Sequence, residues 1–344
     1  MVSVMNGKRL RAHIVNLLPQ PVRDLLRPLT KLDKKSRLIR KVQARKRFRA
    51  ALPYIYTDRP AVSLVIQSFN HRGNIERIVD RLRRTVADEL IVCEDGSVDG
   101  SEKIWRQQLT RPNDFLIQSN DLHEIRAYNR AISLARGEFV GLLQDDDIPP
   151  EKPDWVANAV TLFQKFPKMA ILGCWNGWAF NFDNVEKSIG SPVGQGVVHF
   201  NDCWIRLAEP QSQLPFQFVE AVGIGPMFFR RADFEALGGF DLQLSRPGEP
   251  GIWLDYDICL RAWFSGRQVG VYESEAFERN IGGQGTMMFA EPTRSANYKK
   301  NLKHAERTFG DRIGLVKCAI DDLNQGLVCR SKFPSQLVVA RFTN

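Results

Sequence analysis

Three carboxylates in a row, Asp145-Asp146-Asp147, follow the apolar run Glu138–Gln144 and precede Pro149-Pro150. Like charges this close repel, so leaving them together at a strand end calls for a cation. Hard oxygens suit Mg2+ or Mn2+, which take one or two carboxylates and complete their shell with water or substrate phosphate. A solvated acidic turn is the plainer alternative. A second acidic stretch, Glu94-Asp95-Gly96-Ser97-Val98-Asp99-Gly100-Ser101, closes the apolar run Glu89–Glu94. Carboxylates there can accept a base N–H or a sugar hydroxyl; equally, Gly96 permits a tight turn and Ser97 or Asp99 can cap a helix. Ser68 and Asn70 close a third run, Ala61–Gln67. Asp255 opens the segment Leu254–Trp263, whose apolar positions follow a helix. A helix start favours a carboxylate, so Asp255 is either a cap or a general base. Asp257 and Arg261, four apart, can pair on one face. Glu249 and Trp253, just before, are candidates for contact with a second reactant, and Glu249 is also an alternative for the base itself.

These residues need elements to position them. Strands are expected at Ala61–Gln67, Glu89–Glu94, Phe115–Gln118 and Glu138–Gln144. Helices are expected at Asn74–Arg84, Ser101–Gln108, Arg126–Ala135 and Ser295–Phe309. The alternation predicts an α/β domain with a mostly parallel, Rossmann-like sheet flanked by helices. Ligands of such sheets lie beyond the carboxyl ends of the strands, where the acidic residues fall. Neither a G-x-G-x-x-G nor a G-x-x-x-x-G-K-[ST] follows the first strand, which argues against hydride transfer and P-loop chemistry.

The chain has 344 residues, 43% hydrophobic and 25% charged, enough for a core without staples. Its net charge of +9 is uneven: the first 59 residues hold 16 Lys/Arg against 3 Asp/Glu, and the rest is slightly acidic. That argues against nucleic acid as the partner of the folded domain. The expected division is a basic helical arm at 1–59, a catalytic domain at 60–310 and a C-terminal extension at 311–344. In the arm, Val22, Leu25, Leu26 and Leu29 follow helical spacing, and Leu38, Ile39 and Val42 lie among many Lys and Arg. Such a segment suits an anionic membrane surface; a solvated leader is the alternative. No apolar stretch is long enough for a transmembrane helix or a secretory signal, so a cytoplasmic protein, peripheral at a membrane, is expected. The six cysteines form no C-x-x-C pair and read as free thiols.

Together the motifs resemble the inverting glycosyltransferase family 2, which has the GT-A fold. The family's first strand ends in S/T-x-N, here SLVIQSFN. Its V-D-D-G-S-x-D-G-S corresponds to Val92–Ser101, its middle signature to Asn120 and AYNRAISLARGEFVGLL, and its late E-D-x-D-L-x-x-R to LDYDICLR, preceded by GPMFFRRADFEALGGFD. The similarity runs from about Ala61 to Tyr272 and keeps the family's order. It implies a nucleotide-diphosphate sugar donor, Mn2+ or Mg2+ as cofactor, and an acceptor hydroxyl on a glycan, lipid or protein. It implies Asp255 as base, Ser68, Asn70, Glu94, Asp95, Asn129, Asp145 and Asp146 at the donor, and Asp145 and Asp147 at the metal. Leu254 stands where the family has Glu, and a late His of some relatives has no counterpart.

Other readings remain open. A sugar-phosphate nucleotidyltransferase also uses strand-end carboxylates and a divalent metal, and an inactive carbohydrate-binding domain would explain Leu254. Trp175, Trp178, Trp204 and Trp253 could stack on sugars or fill a core. Gly223–Met227 could bring backbone close to substrate or simply turn into a strand. Residues 282–293, rich in Gly and small side chains, suit a lid.

Overall fold

The computed structural model describes residues 62–120, 122–174, 176–181, 184–190, 204–205, 214–275, 277–279 and 291–327. The basic arm, the stretch 280–290 and the side chains of Trp175, Trp178 and Trp204 lie outside these residues, and so do the readings placed on them. The chain contacts divide at Pro53/Tyr54, and everything described belongs to the second unit. No described helix is long and apolar enough to cross a membrane.

Four strands come first: β1 (Val62–Ser68), β2 (Glu89–Glu94), β3 (Phe115–Gln118) and β4 (Phe139–Gln144). Helices α1 (Ile75–Arg83), α2 (Ser101–Gln108) and α3 (His123–Leu134) connect them. These strands pair in parallel in the order β3-β2-β1-β4. β1 and β2 are buried almost throughout, which is why they read as continuous apolar runs and not as alternating ones. Neighbouring residues along a strand point to opposite faces. The Ser68 hydroxyl meets Trp105 of α2, whereas Cys93, register partner of Gln67, points to Ala127 of α3. Helices α2 and α3 therefore cover opposite faces, as right-handed crossovers out to β3 and back to β4 require.

Beyond the acidic turn come β5 (Asp147–Ile148), α4 (Asp154–Lys165), β6 (Met169–Gly173), β7 (Asn176–Asn181), β8 (Asn184–Gly190) and β9 (Trp204–Ile205). Then follow β10 (Leu214–Phe218), β11 (Ala221–Val222), β12 (Met227–Arg230), α5 (Arg231–Ala236), α6 (Leu254–Phe264), β13 (Gln268–Tyr272), β14 (Glu278–Arg279), α7 (Glu291–Phe309) and α8 (Ile313–Gln325). The main sheet has nine strands in the order β3-β2-β1-β4-β12-β6-β13-β10-β9. β12 runs antiparallel between β4 and β6. The large side chains of the core, among them Trp105, Trp155, Phe139, Phe163, Phe228 and Phe229, are fully buried on this sheet. Arg230 lies over the rings of Phe139 and Phe163.

Two elements differ from expectation. Helix α3 begins at His123, three residues before Arg126, because Asp95 of the neighbouring strand takes its first amide protons. Helix α7 begins at Glu291, so the last residues of the expected lid, Glu291–Thr293, are helical. Helix α8, which has no clear sequence signature, docks on β10: the Asn324 amide donates to the Phe218 carbonyl and accepts from its N–H.

Candidate active site

The carboxyl ends of β1, β2 and β4 converge on one edge of the sheet, since Ser68 is level with Glu94 and Gln67 with Gln144. Their loops are stitched together. Asn70 donates its N–H to Ser97 Oγ at 3.0 Å and accepts from Val98 N–H at 2.8 Å. Asp99 accepts from Arg72 N–H at 2.9 Å and, through its other oxygen, from the N–H and hydroxyl of Ser101. It therefore caps α2, one of the alternatives the sequence left open. Asn70 holds a left-handed backbone, φ 57°, which Asn tolerates better than most residues.

The acidic turn is built asymmetrically. Asp145 is buried; one oxygen accepts Phe69 N–H at 2.6 Å and the other lies 3.1 Å from His71 Nδ1. Its carbonyl accepts from Asn74 Nδ2. Burial pushes the Asp145 carboxyl above the ordinary range despite the opposing effect of His71. The hydrogen bond that His71 donates to Asp145 in turn raises the His71 imidazole. Asp147 is fully buried in β5, which pairs Asp147 with Arg279 and Ile148 with Glu278 of β14. Glu278 is bound by Arg77 and Arg81 of α1, and Arg81 also donates to the Pro149 carbonyl. The Asp147 carboxylate sits against Gly225, where a Cβ would come within 2.0 Å of Oδ2. The flexible glycine stretch thus brings backbone close to an acid of the protein itself.

Asp146, between these two, is partly exposed, and no hydrogen bond or ion pair among the described residues engages it. The expected metal pair was Asp145 and Asp147. The geometry shifts emphasis to Asp146, because Asp145 is committed to Phe69 and His71 and Asp147 lies inside. No three His, Cys, Asp or Glu among the described residues gather as a metal cage. An acidic turn with one uncommitted carboxylate fits a hard divalent cation that draws its remaining ligands from substrate oxygens.

Four of the expected donor residues, Glu94, Asp95, Asn129 and Ser68, have partners within the protein. Glu94 turns back to accept Gly96 and Ser97 N–H. Asp95 accepts from Leu122 N–H, His123 N–H and Gln67 Nε2, and burial raises its carboxyl. Amide protons at a turn or helix start otherwise go unsatisfied, and the nearest carboxylate takes them. Asn129 exchanges two hydrogen bonds with the Phe240 backbone and joins α3 to the loop after α5. Ser68 is fully buried and accepts from Trp105 Nε1.

Asp255 lies in the first turn of α6 and is partly exposed; Oδ1 accepts Tyr256 N–H. Asp257 is buried and paired with Arg261 at 2.7 Å, as the spacing implied, and Arg261 also ties down the Leu237 and Gly239 carbonyls. Of the two acids in this turn, only Asp255 therefore faces solvent. Trp253 is buried between Tyr256 and Tyr298, with centroids at 4.8 and 5.6 Å, and so fills a core instead of presenting a face to a sugar. Glu249 closes a local turn with Arg246 N–H.

The loop before α6 is tied, through the head of α3, to the end of β2. Glu124, beside His123 at the head of α3, accepts Gly251 N–H at 2.9 Å, and His123 N–H reaches Asp95 at the end of β2. Sequence reasoning gave no role to Glu124 or to His71. Glu124 carried no signal because its partner is 127 residues away. His71 had only its place beside Asn70 at a strand end.

An α/β sheet with an acidic turn at its switch between β1 and β4 narrows the class, and comparison with known proteins names the family. Residues 63–238 match the model of glycosyl transferase family 2, so the chain belongs to that family of glycosyltransferases. EpsH of Bacillus subtilis (strain 168) is 27% identical over 143 residues, 40% of this chain and 39% of that one. The hyaluronan synthase of Pasteurella multocida is 32% identical over 136 residues, 36% of this chain and 14% of the synthase. The chain thus spans well under half the length of these curated relatives. The crystal structure of GalNAc-T7 with UDP, GalNAc and Mn2+ superposes with a TM-score of 0.51 at 16% identity, over 72% of this chain and 48% of that one. That likeness supports the GT-A fold.

Proposed function

We propose that this enzyme transfers a sugar, with inversion, from a nucleotide-diphosphate sugar to an acceptor hydroxyl on a glycan, lipid or protein. The observation that carries the reading is the acidic turn Asp145–Asp147 at the end of β4, with Asp146 partly exposed, together with a second partly exposed acid, Asp255, in the first turn of α6. The donor lies over the ends of β1 and β2. Glu94, Asp95 and Ser68 shape that floor through their backbone and indole partners. Asn70 and Ser97 hold its rim.

Asp146 would hold Mn2+ or Mg2+ directly, with Asp145 and Asp147 fixing the turn on either side. Bound there, the cation would supply positive charge against the diphosphate as it leaves. Asp255 takes the proton of the acceptor hydroxyl as the hydroxyl oxygen attacks the anomeric carbon. His71 keeps Asp145 oriented through Nδ1. The UDP and Mn2+ in GalNAc-T7, and the sugar-polymer synthases among the relatives, support a UDP-sugar as the first donor to try.

A panel of nucleotide-diphosphate sugars, with and without Mn2+, tests this by nucleotide release and thermal shift. A shift with one nucleotide only when metal is present is the expected result. Pyrophosphate release from a nucleoside triphosphate and a sugar phosphate would instead mark a nucleotidyltransferase.

A further inference from the structure

We propose that Glu124 is a positioning residue for the reaction: through Gly251 it holds in place the turn from which Asp255 acts. The proposal rests on the reading of Asp255 as base. A carboxylate in the first turn of a helix ordinarily serves its own helix. Glu124 instead reaches a backbone N–H 127 residues downstream, at 2.9 Å, in a buried setting. Keeping a carboxylate there is costly unless its hydrogen bonds are well made.

The contact is close on every side. A Cβ on Gly251 would meet Ile125 Cγ1 at 2.8 Å and Leu254 Cδ2 at 2.9 Å. Ile125 adjoins Glu124 and Leu254 adjoins Asp255, so α3 and the head of α6 meet across this bare backbone. Arg126, next on α3, donates to the Leu242 and Ser245 carbonyls. From the opposite side, α7 holds the same loop: Asn301 Nδ2 donates to Leu244 and Ile252 carbonyls at 3.0 and 2.7 Å, and Lys300 Nζ to those of Gln243 and Leu244. The amide of Gly251 is thus fixed by α3 and the carbonyl of Ile252 by α7. Asp255 follows three residues later, with Asp257 N–H bonded to the Trp253 carbonyl to start the helix. His123, preceding Glu124, binds Asp95 at the donor edge, so one short stretch of α3 touches both halves of the site.

Hydrogen exchange of the full chain tests the role, read by mass spectrometry on peptides covering 252–257 and on β1, β2 and β4. In Glu124→Leu, exchange of 252–257 should rise by about tenfold, the effect of losing one bond to a charged acceptor, while the strands stay protected. Affinity for UDP with Mn2+ should stay at the wild-type level while turnover falls. Glu124→Gln, whose amide oxygen still accepts the Gly251 proton, should restore both. Unchanged protection of 252–257, or exchange raised equally in the strands, would overturn the proposal. Should Glu124→Leu not fold, Gly251→Ala gives the same reading with Glu124 intact. Its methyl crowds Ile125 and Leu254, and wild-type protection of 252–257 in that variant would also overturn it. Asp255→Asn, run in parallel, separates the two readings: full turnover there removes the base assignment, whereas the exchange result for Glu124 stands or falls by itself.

Discussion

Replacing Gly225 by alanine puts a methyl group where the Asp147 carboxylate now sits. The added Cβ would lie 2.0 Å from Oδ2, 3.1 Å from Cγ and 3.4 Å from Gln144 Oε1. No rotamer adjustment of a methyl relieves this, so either the acid or the backbone must move. Gly225 also has φ +99°, where a side chain costs about 1–3 kcal/mol of backbone strain. Overpacking a filled site adds roughly 1–3 kcal/mol. The two together, about 2–6 kcal/mol, are a large part of the ~5–15 kcal/mol that holds a domain folded. Displacing Asp147 also strains β5, whose register with β14 ties the acidic turn to Arg77 and Arg81 through Glu278. Urea unfolding should show a lower midpoint with little change in slope. The proposed stabilisation by Mn2+ with UDP should shrink as well. A wild-type midpoint and a wild-type response to Mn2+ would refute the close packing of Asp147 on this glycine.

Three further outcomes follow from the geometry. Asp146→Asn should alter stability by no more than about 0.5 kcal/mol, as for a surface change, yet abolish the Mn2+-dependent thermal shift with UDP; a retained shift would return the ligand role to Asp145 or Asp147. Trp253→Ala should cost about 3–5 kcal/mol in urea unfolding because its indole is core, and a stable variant that lost only acceptor affinity would restore the stacking role. Burial raises the carboxyls of Asp95, Glu124 and Asp145, so the folded state holds their protons more tightly than the unfolded chain. Stability from these groups therefore falls as pH rises from about 4 through their folded values. His71, raised chiefly by its bond to Asp145, contributes fully below about pH 6.5 and loses that contribution above its folded value. Urea midpoints should decline from about pH 5 to about pH 8, less steeply at the upper end in His71→Asn; a midpoint that rose over this window would contradict the assigned shifts.

The parallel half of the sheet was legible because buried parallel strands leave continuous apolar runs. β2, α2 and β3 have the bounds their residues suggest. The Asp257–Arg261 pair was legible for the same local reason, four residues on one helix face. What spacing does not carry is the destination of a side chain across the fold. Asp95 and Asn129 stand in the right motifs, but Asp95 caps α3 and Asn129 clamps Phe240, each bond formed only once distant segments meet. Trp253 is an aromatic that could stack on a sugar, and the packing of Tyr256 and of Tyr298 from α7 makes it core. The order of commitment within Asp145–Asp147 depends on the loop after β1 and on Gly225, neither of which adjoins the turn in sequence.

The most direct measurement compares turnover and nucleotide binding in Asp255→Asn, using the donor and acceptor that the wild-type enzyme accepts. Turnover should fall by about 10²–10⁴-fold, the contribution of a positioned general base, with affinity for the nucleotide and Mn2+ unchanged. Turnover at the wild-type rate, with the nucleotide still bound, would contradict Asp255 as the base.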